Sequence, residues 1–409
     1  MIKGWLGFAV FAFFLAATLL LLGRIVSAQS SPYSQWTNGP STSPNFFPIG
    51  AWLQSPGHAQ EFQNIGVNMF VGFYGNLEAA DMTAFAKMKM PVVPTQNSVG
   101  LMSPQRSLIW GWEQIDEPDN AQSNGHGGYG PCMKPSAVVS SYNAIKANDK
   151  TSPVFLNFGR GASNAGYNGR GSCTGDTAYY SQAMAGGDII SFDIYPVANY
   201  NGQLELVPNG VDNLKSWAAR CNCGSKLIWN AIETTPFNGG ATPTPAQIRS
   251  EVWMSLIHGS QGIVYFVHVL SPKFREDGIF NYPESVQAVK SIDAQIASLA
   301  PVLNSPTVTG DVRVSSNSSG VPVDMMEKDY GGSKYVFSVA RANSSTVATF
   351  TVTGNSTATV TVLGESRQIA MGNGQFQDSF SGYQVHLYQL SSGTSAAPAA
   401  RTNVKPAGQ

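Results

Sequence analysis

Charge is scarce in this 409-residue chain. Asp, Glu, Lys and Arg together make up 12% of it, against about 25% in an ordinary soluble protein. The 24 basic and 25 acidic residues leave a net charge of −1. A chain with no basic excess cannot grip a nucleic-acid backbone by releasing its counterions, so nucleic acid is excluded as a partner. Histidines number five and cysteines four. The histidines are scattered, and Cys221 and Cys223 stand one residue apart rather than at the spacing of a zinc knuckle, so neither metal nor cofactor is expected. No Gly-x-Ser-x-Gly elbow, His-Glu-x-x-His pair or P-loop occurs, which leaves serine esterase, zinc protease and NTPase chemistry unsupported. What is plentiful is apolar: 43% hydrophobic residues, with aromatics at 11%. That suffices for a large core and excludes whole-chain disorder. The surface must be polar through Ser, Thr, Asn, Gln and Gly.

The first 28 residues read as a targeting segment. Lys3 precedes the apolar run GWLGFAVFAFFLAATLLLLG at 4–23, and Val26-Ser27-Ala28 follows with a small-x-small pattern. This is a cleaved signal peptide or, since the run is long enough to span a bilayer, a retained membrane anchor. Either way the remainder is exported, to a secreted or extracytoplasmic location. Residues 29–45 read as a linker, and 392–409 as a disordered tail.

Between 46 and 300 short apolar runs alternate with polar loops and stretches of helical period. The runs are FPIGAWL, NMFVGF, PVVPTQN, LIWGWEQIDEP, PVFLNFG, DIISFDIYP, KLIWNAIET and GIVYFVHVL. Near-continuous apolar strands of this kind are buried on both faces of a parallel sheet. Eight of them, each leading to a crossover, fit a (β/α)8 TIM barrel, and the helical pattern is weakest after the third and fifth runs. An open doubly wound sheet would show a Gly-rich phosphate turn after the first run, and FPIGAWLQSPGHAQ has none. From 301 to 391 the texture changes to short alternating runs split by Gly-Gly, Asn-Ser and Gly-Asn, as in a small all-β sandwich.

In a barrel, chemistry lies where strands end. The fourth run ends Asp116-Glu117-Pro118 and the seventh ends Ile232-Glu233-Thr234. The sixth carries Asp193 and Tyr195, and the eighth Tyr265 and His268. A carboxylate at the end of an apolar strand is costly unless paired. Two on facing strands suit glycoside hydrolysis, where one protonates the leaving oxygen and the other attacks the anomeric carbon or activates water. On these residues the sequence resembles the (β/α)8 glycoside hydrolases of the clan with catalytic glutamates on strands four and seven. The resemblance covers about 255 residues and names no single family. It implies Glu117 as acid/base, Glu233 as nucleophile, retention of configuration, and Tyr195 as the tyrosine that hydrogen-bonds the nucleophile. Asp116 stands where the clan has Asn, and a second carboxylate there would raise the pKa of Glu117 or mark a different substrate or a lost activity.

Further substrate contacts are expected from Asp116, Asp193, Asn157, His268 and the aromatic residues Trp52, Trp112, Trp229 and Tyr265, whose rings can stack on sugar C–H faces. Cys132 and Cys173 follow neighbouring strands, so a disulfide between them would stiffen the wall of the cleft, whereas Cys221–Cys223 would close a strained small ring. The sequence thus points to an exported glycoside hydrolase acting on a carbohydrate, with a non-catalytic carbohydrate-binding protein on the same barrel as the alternative. A membrane is a partner only if the N-terminal segment is kept.

Overall fold

A computed structural model describes residues 31–166, 173, 175–354 and 357–392. The proposed signal or anchor and the tail beyond 392 lie outside them. No helix among the described residues is long and apolar enough to cross a membrane.

The barrel strands are β1 (Ile49–Trp52), β2 (Met69–Val71), β3 (Val92–Val93), β4 (Trp112–Glu113), β5 (Val154–Phe158), β6 (Ile189–Phe192), β7 (Leu227–Ile228 and Asn230–Glu233) and β8 (Ile263–Phe266). All neighbours run parallel, and β8 pairs with β1, with Gly50 opposite Val264. Parallel bridges Val92–Ile109 and Thr95–Glu113 join β3 to β4 and close the ring. The crossovers are α1 (Ala59–Gln63), α2 (Ala79–Met88), α3 (Ser98–Met102), α4 (Pro135–Asn148), α5 (Thr177–Ala183), α6 (Leu206–Arg220), α7 (Pro245–Ile257) and α8 (Pro283–Leu303). The expected weak helices, α3 and α5, are short. Helix α7 shows how local sequence sets a boundary. Thr244 accepts from the Gln247 N–H while the Gln247 side chain accepts from the Thr244 N–H, and Pro245 supplies a pre-set first φ.

The strands alternate inward and outward side chains. Met69, Val71, Val93, Phe155, Ile189, Leu227, Trp229 and Val264 fill the interior. Tyr33 plugs its lower end, accepting from Trp229 Nε1 (2.9 Å) and donating to the Gln261 carbonyl (2.7 Å). The segment expected to be a linker therefore caps the barrel, because its one Tyr brings both a ring and a hydroxyl to the buried indole N–H. Trp229 is consequently a floor residue with no route to substrate.

Nine antiparallel strands between Thr307 and Ser392 form one continuous sheet that curls around its own core of Phe350, Phe376, Tyr388 and their neighbours. The domain junction falls slightly later than expected, since α8 continues through Pro301 to Leu303. The β domain sits against α6 and α7. His258 bridges Asp212 (2.9 Å) and Asp324 (3.0 Å), Ser250 Oγ donates to the Tyr383 carbonyl (2.6 Å), and Trp253 packs on Phe337. Both disulfides form, Cys132–Cys173 and, contrary to the ring-strain expectation, Cys221–Cys223. The second lies at the C-terminal end of α6, where the backbone turns out of the helix and Asn222 takes the left-handed conformation (φ 50°).

Candidate active site

The C-terminal mouth of the barrel gathers acids that the sequence scatters over three strands. After β4 the chain makes a tight turn held from several sides. Glu117 N–H donates to the Asn157 carbonyl (3.0 Å), and the Glu117 carbonyl accepts from Asn120 N–H and Gln122 Nε2. Glu117 itself has φ of 43°, a left-handed conformation costing about 1–2 kcal/mol for a residue with a side chain. Such strain persists where surrounding bonds over-determine it, typically at functional sites. Its carboxylate accepts from Asn120 Nδ2 (3.0 Å). Gly159, at the end of β5, makes room: a Cβ there would lie 2.8 Å from Glu117 Oε1.

Three further carboxyls stand around this turn. Asp116 is exposed and accepts from Asn157 Nδ2 (3.0 Å). Asp119 is buried, bonded by Gly159 N–H (2.9 Å) and the Tyr180 hydroxyl (2.7 Å), and burial raises its pKa to about 6. Asp193, beyond the end of β6, is 8% exposed. One of its oxygens accepts from the Tyr195 hydroxyl (3.0 Å), the other has no N–H or O–H donor among the described residues, and Glu117 is within hydrogen-bonding reach. Burial first, then the charges of Glu117 and Asp116, push the pKa of Asp193 well up. Asp193 therefore keeps its proton to a higher pH than a free carboxyl does. Glu113, at the end of β4, is a fourth acid, raised by burial and by Asp116. It lines a groove of about 620 Å³ with Asp116, Thr95, Gln96 and Asn148.

Glu233, at the end of β7, is bonded to the segment that follows Tyr195. It is 0% exposed, and its oxygens accept from Val197 N–H (2.5 Å) and Ala198 N–H (3.2 Å) at the start of the one-turn helix Pro196–Asn199. Glu251 of α7, also fully buried, lies beside it. Burial raises Glu233 to about 7 and pushes Glu251 well up, burial again leading and the Glu233 charge next. The expected nucleophile is thus withdrawn from solvent, because two backbone amides offer a buried carboxylate better satisfaction than the open mouth. Tyr195 correspondingly bonds Asp193, not Glu233. Its ring stacks on Phe237 (4.0 Å, 10°), and the Arg160 guanidinium covers both at 5.3 and 4.9 Å.

Of the other expected contacts, Asn157 and Trp52 line a small internal gap of about 10 Å³ together with Asp193 and Tyr195. Trp112 and Tyr265 do not, since alternation turns them outward. Trp112 Nε1 donates to Asp149 (2.7 Å) beneath Arg106, and the Tyr265 hydroxyl donates to Asp293 (2.7 Å). His268 is buried, and its Nε2–H donates to the Leu53 carbonyl (3.1 Å). Burial lowers its pKa and keeps it neutral, a bracing role rather than a substrate contact. Glu113, Asp119, Arg160 and Glu251 escaped the sequence reading. The run Glu113-x-x-Asp116-Glu117-x-Asp119 places four acids in seven positions of a charge-poor chain, and that density was the available signal.

So many buried acids fix how stability depends on pH. For Asp119 the pKa moves from 3.8 to about 6, and for Glu233 from 4.5 to about 7. The folded chain therefore binds more protons than the unfolded one across that window, and stability falls as pH rises through it. His258, raised by its two aspartates against the opposing effect of burial, acts in the same direction: its contribution is complete below its unfolded pKa and is lost as pH rises through the folded one. His268, lowered by burial, acts the other way, but the raised acids and His258 outweigh this one group, so the Tm is expected to be higher at about pH 5 than at about pH 8. Calorimetry across that range checks this, and a Tm that rises toward pH 8 contradicts it.

No protein-family model matches the chain, and no curated protein matches it by sequence. Solved structures do. An α-amylase from Geobacillus thermoleovorans, complexed with acarbose, is 10% identical with a TM-score of 0.52, over 86% of this chain and 99% of that one. An α-galactosidase I from Mortierella vinacea is 11% identical with a TM-score of 0.49, over 87% and 99%. A glycoside hydrolase family 30 subfamily 8 xylanase from Clostridium acetobutylicum is 12% identical with a TM-score of 0.45, over 84% and 96%. The first of these likenesses is one of fold: the chain is a (β/α)8 barrel followed by a small β domain.

Proposed function

We propose that this chain is an exported glycoside hydrolase that cleaves O-glycosidic bonds of a neutral oligo- or polysaccharide through carboxyl chemistry at Glu117. The observation that carries the reading is the shared site of Glu117 and Asp193 at the barrel mouth. A buried carboxyl that stays protonated beside a half-exposed carboxylate is a proton store, which is what departure of a sugar oxygen requires. Glu117, on its strained turn, is the member that faces outward and contacts the leaving oxygen. Asp193 passes its proton to Glu117 as Glu117 delivers one to the leaving oxygen and the C–O bond breaks. Water adds to the anomeric carbon and its released proton restores the pair, with Tyr195 fixing the orientation of Asp193. Asp116 and Asn157, joined at 3.0 Å, offer an acceptor and an amide to sugar hydroxyls. The α-amylase of similar fold was solved with acarbose, which supports a carbohydrate as the substrate class. Two disulfides support export.

A second reading keeps Glu233 as the nucleophile of a retaining, two-glutamate reaction, favoured by its place at the end of β7, across the mouth from β4. The test of the main reading is a screen of the purified chain on soluble polysaccharides and aryl glycosides, with Asp193→Asn as the diagnostic variant. Asn cannot store the proton, so turnover should fall by about 10²-fold or more and the alkaline limb of its pH profile should move. Glycan binding with no turnover on any substrate would instead establish the non-catalytic alternative.

A further inference from the structure

Few large apolar side chains are exposed among the described residues, and two of them touch. Tyr74, which follows β2, is 44% exposed, and Phe274, which follows β8, is 45% exposed. Their rings meet edge to face at 5.4 Å, and both rest on His268, at 5.7 and 5.5 Å. Strands β2 and β8 flank β1, so the pair sits at one edge of the barrel mouth. The rings continue inward to the carboxyl cluster. His268 packs on Phe266 (5.3 Å), Phe266 on Tyr195 (5.1 Å), and the Tyr195 hydroxyl bonds Asp193.

We propose that Tyr74 and Phe274 form a sugar-stacking subsite at the rim, taking a neutral pyranose unit of a chain whose scissile bond lies at Glu117. The proposal rests on the glycosidase reading. Two exposed rings in contact form one continuous apolar face, and the polar groups beside it say what kind of molecule it fits. Glu276 is held there by the Ser55 hydroxyl (2.9 Å) and the Ser55 N–H, with His58 3.6 Å away, and its charge reaches Tyr74. A carboxylate next to two ring faces suits a ligand with C–H faces and a belt of hydroxyl donors. An apolar peptide would take that charged carboxylate out of water and offer its remaining lone pairs no donor. The rim position also requires a substrate longer than the unit being cleaved, so the enzyme acts on chains.

Affinity electrophoresis of the whole chain through gels containing β-glucan, xylan or galactomannan tests this. Wild type and Glu117→Gln should be retarded by at least one of these glycans. The double variant Tyr74→Ala/Phe274→Ala should bind it about tenfold more weakly, while its turnover of a short aryl glycoside is unchanged. The replacement Tyr74→Trp/Phe274→Trp should restore retardation, which separates loss of the stacking surface from loss of the fold. Equal retardation of the double-alanine variant overturns the subsite. So does a wild type that none of the glycans retards, and turnover of aryl glycosides by that protein shows whether the glycosidase reading survives.

Discussion

Glu117→Gln is expected to lower turnover of an unactivated glycoside by about 10²–10⁴-fold, the range that general acid catalysis supplies. The fold should be unaffected. Gln has the shape of Glu, and the backbone bonds that hold φ at 43° remain. Its amide donates to Asp193, so the lost carboxylate leaves no unpaired group behind it. With the neighbouring negative charge gone, Asp193 becomes easier to ionise, since Glu117 is the largest of the charges that raise it. The Tm should therefore stay close to that of wild type. The role predicts a substrate dependence as well. A leaving group that departs as a stable anion needs little protonation, so the loss on an activated aryl glycoside should be far smaller than on a natural linkage. Normal activity on an unactivated substrate would sink the assignment, and an equal loss on both would show that Glu117 does something other than deliver a proton.

How much of this site could be read from the sequence depended on which physical signal each residue carries. Strand ends were legible because buried parallel strands are continuous apolar runs, and an acid that interrupts one stands out. This placed Glu117, Asp193 and Glu233 at the correct ends of β4, β6 and β7. The direction in which a side chain leaves the strand was not legible. Trp112 and Tyr265 lie on apolar strands like any core aromatic, and only the inward–outward alternation, whose phase is set by pairing with neighbours, turns them away from the mouth. Tyr33 was misread because a Ser-, Pro- and Asn-rich stretch ahead of a barrel looks like a linker until Trp229 supplies the buried N–H that Tyr33 satisfies. Glu251 gave no signal at all: one acid in a helix is ordinarily a solvated one, and only the burial of α7 and its contact with Glu233 make it otherwise.

That contact yields the prediction that decides between the two catalytic readings. Glu233→Gln should destabilise the chain by about 1–3 kcal/mol, the cost of leaving a buried polar group unsatisfied. The carboxylate accepts two backbone N–H groups, from Val197 and Ala198. An amide has one acceptor oxygen, so its NH2 group must face a donor on one side or the other. The one-turn helix Pro196–Asn199 loosens, Tyr195 directly before it loses its fixed stacking on Phe237, and turnover falls through the misplaced hydroxyl that orients Asp193. Glu251→Gln should be nearly silent by contrast. A protonated Glu251 donates to Glu233, and the Gln amide donates in its place. A positioning role for Glu233 therefore requires that Tm and turnover fall together in Glu233→Gln and that both survive in Glu251→Gln. If Glu233→Gln keeps the wild-type Tm and loses all turnover, on activated and unactivated substrates alike, Glu233 is the nucleophile. The pocket must then open to it on substrate binding, and Asp193 reverts to a residue that orients the acid.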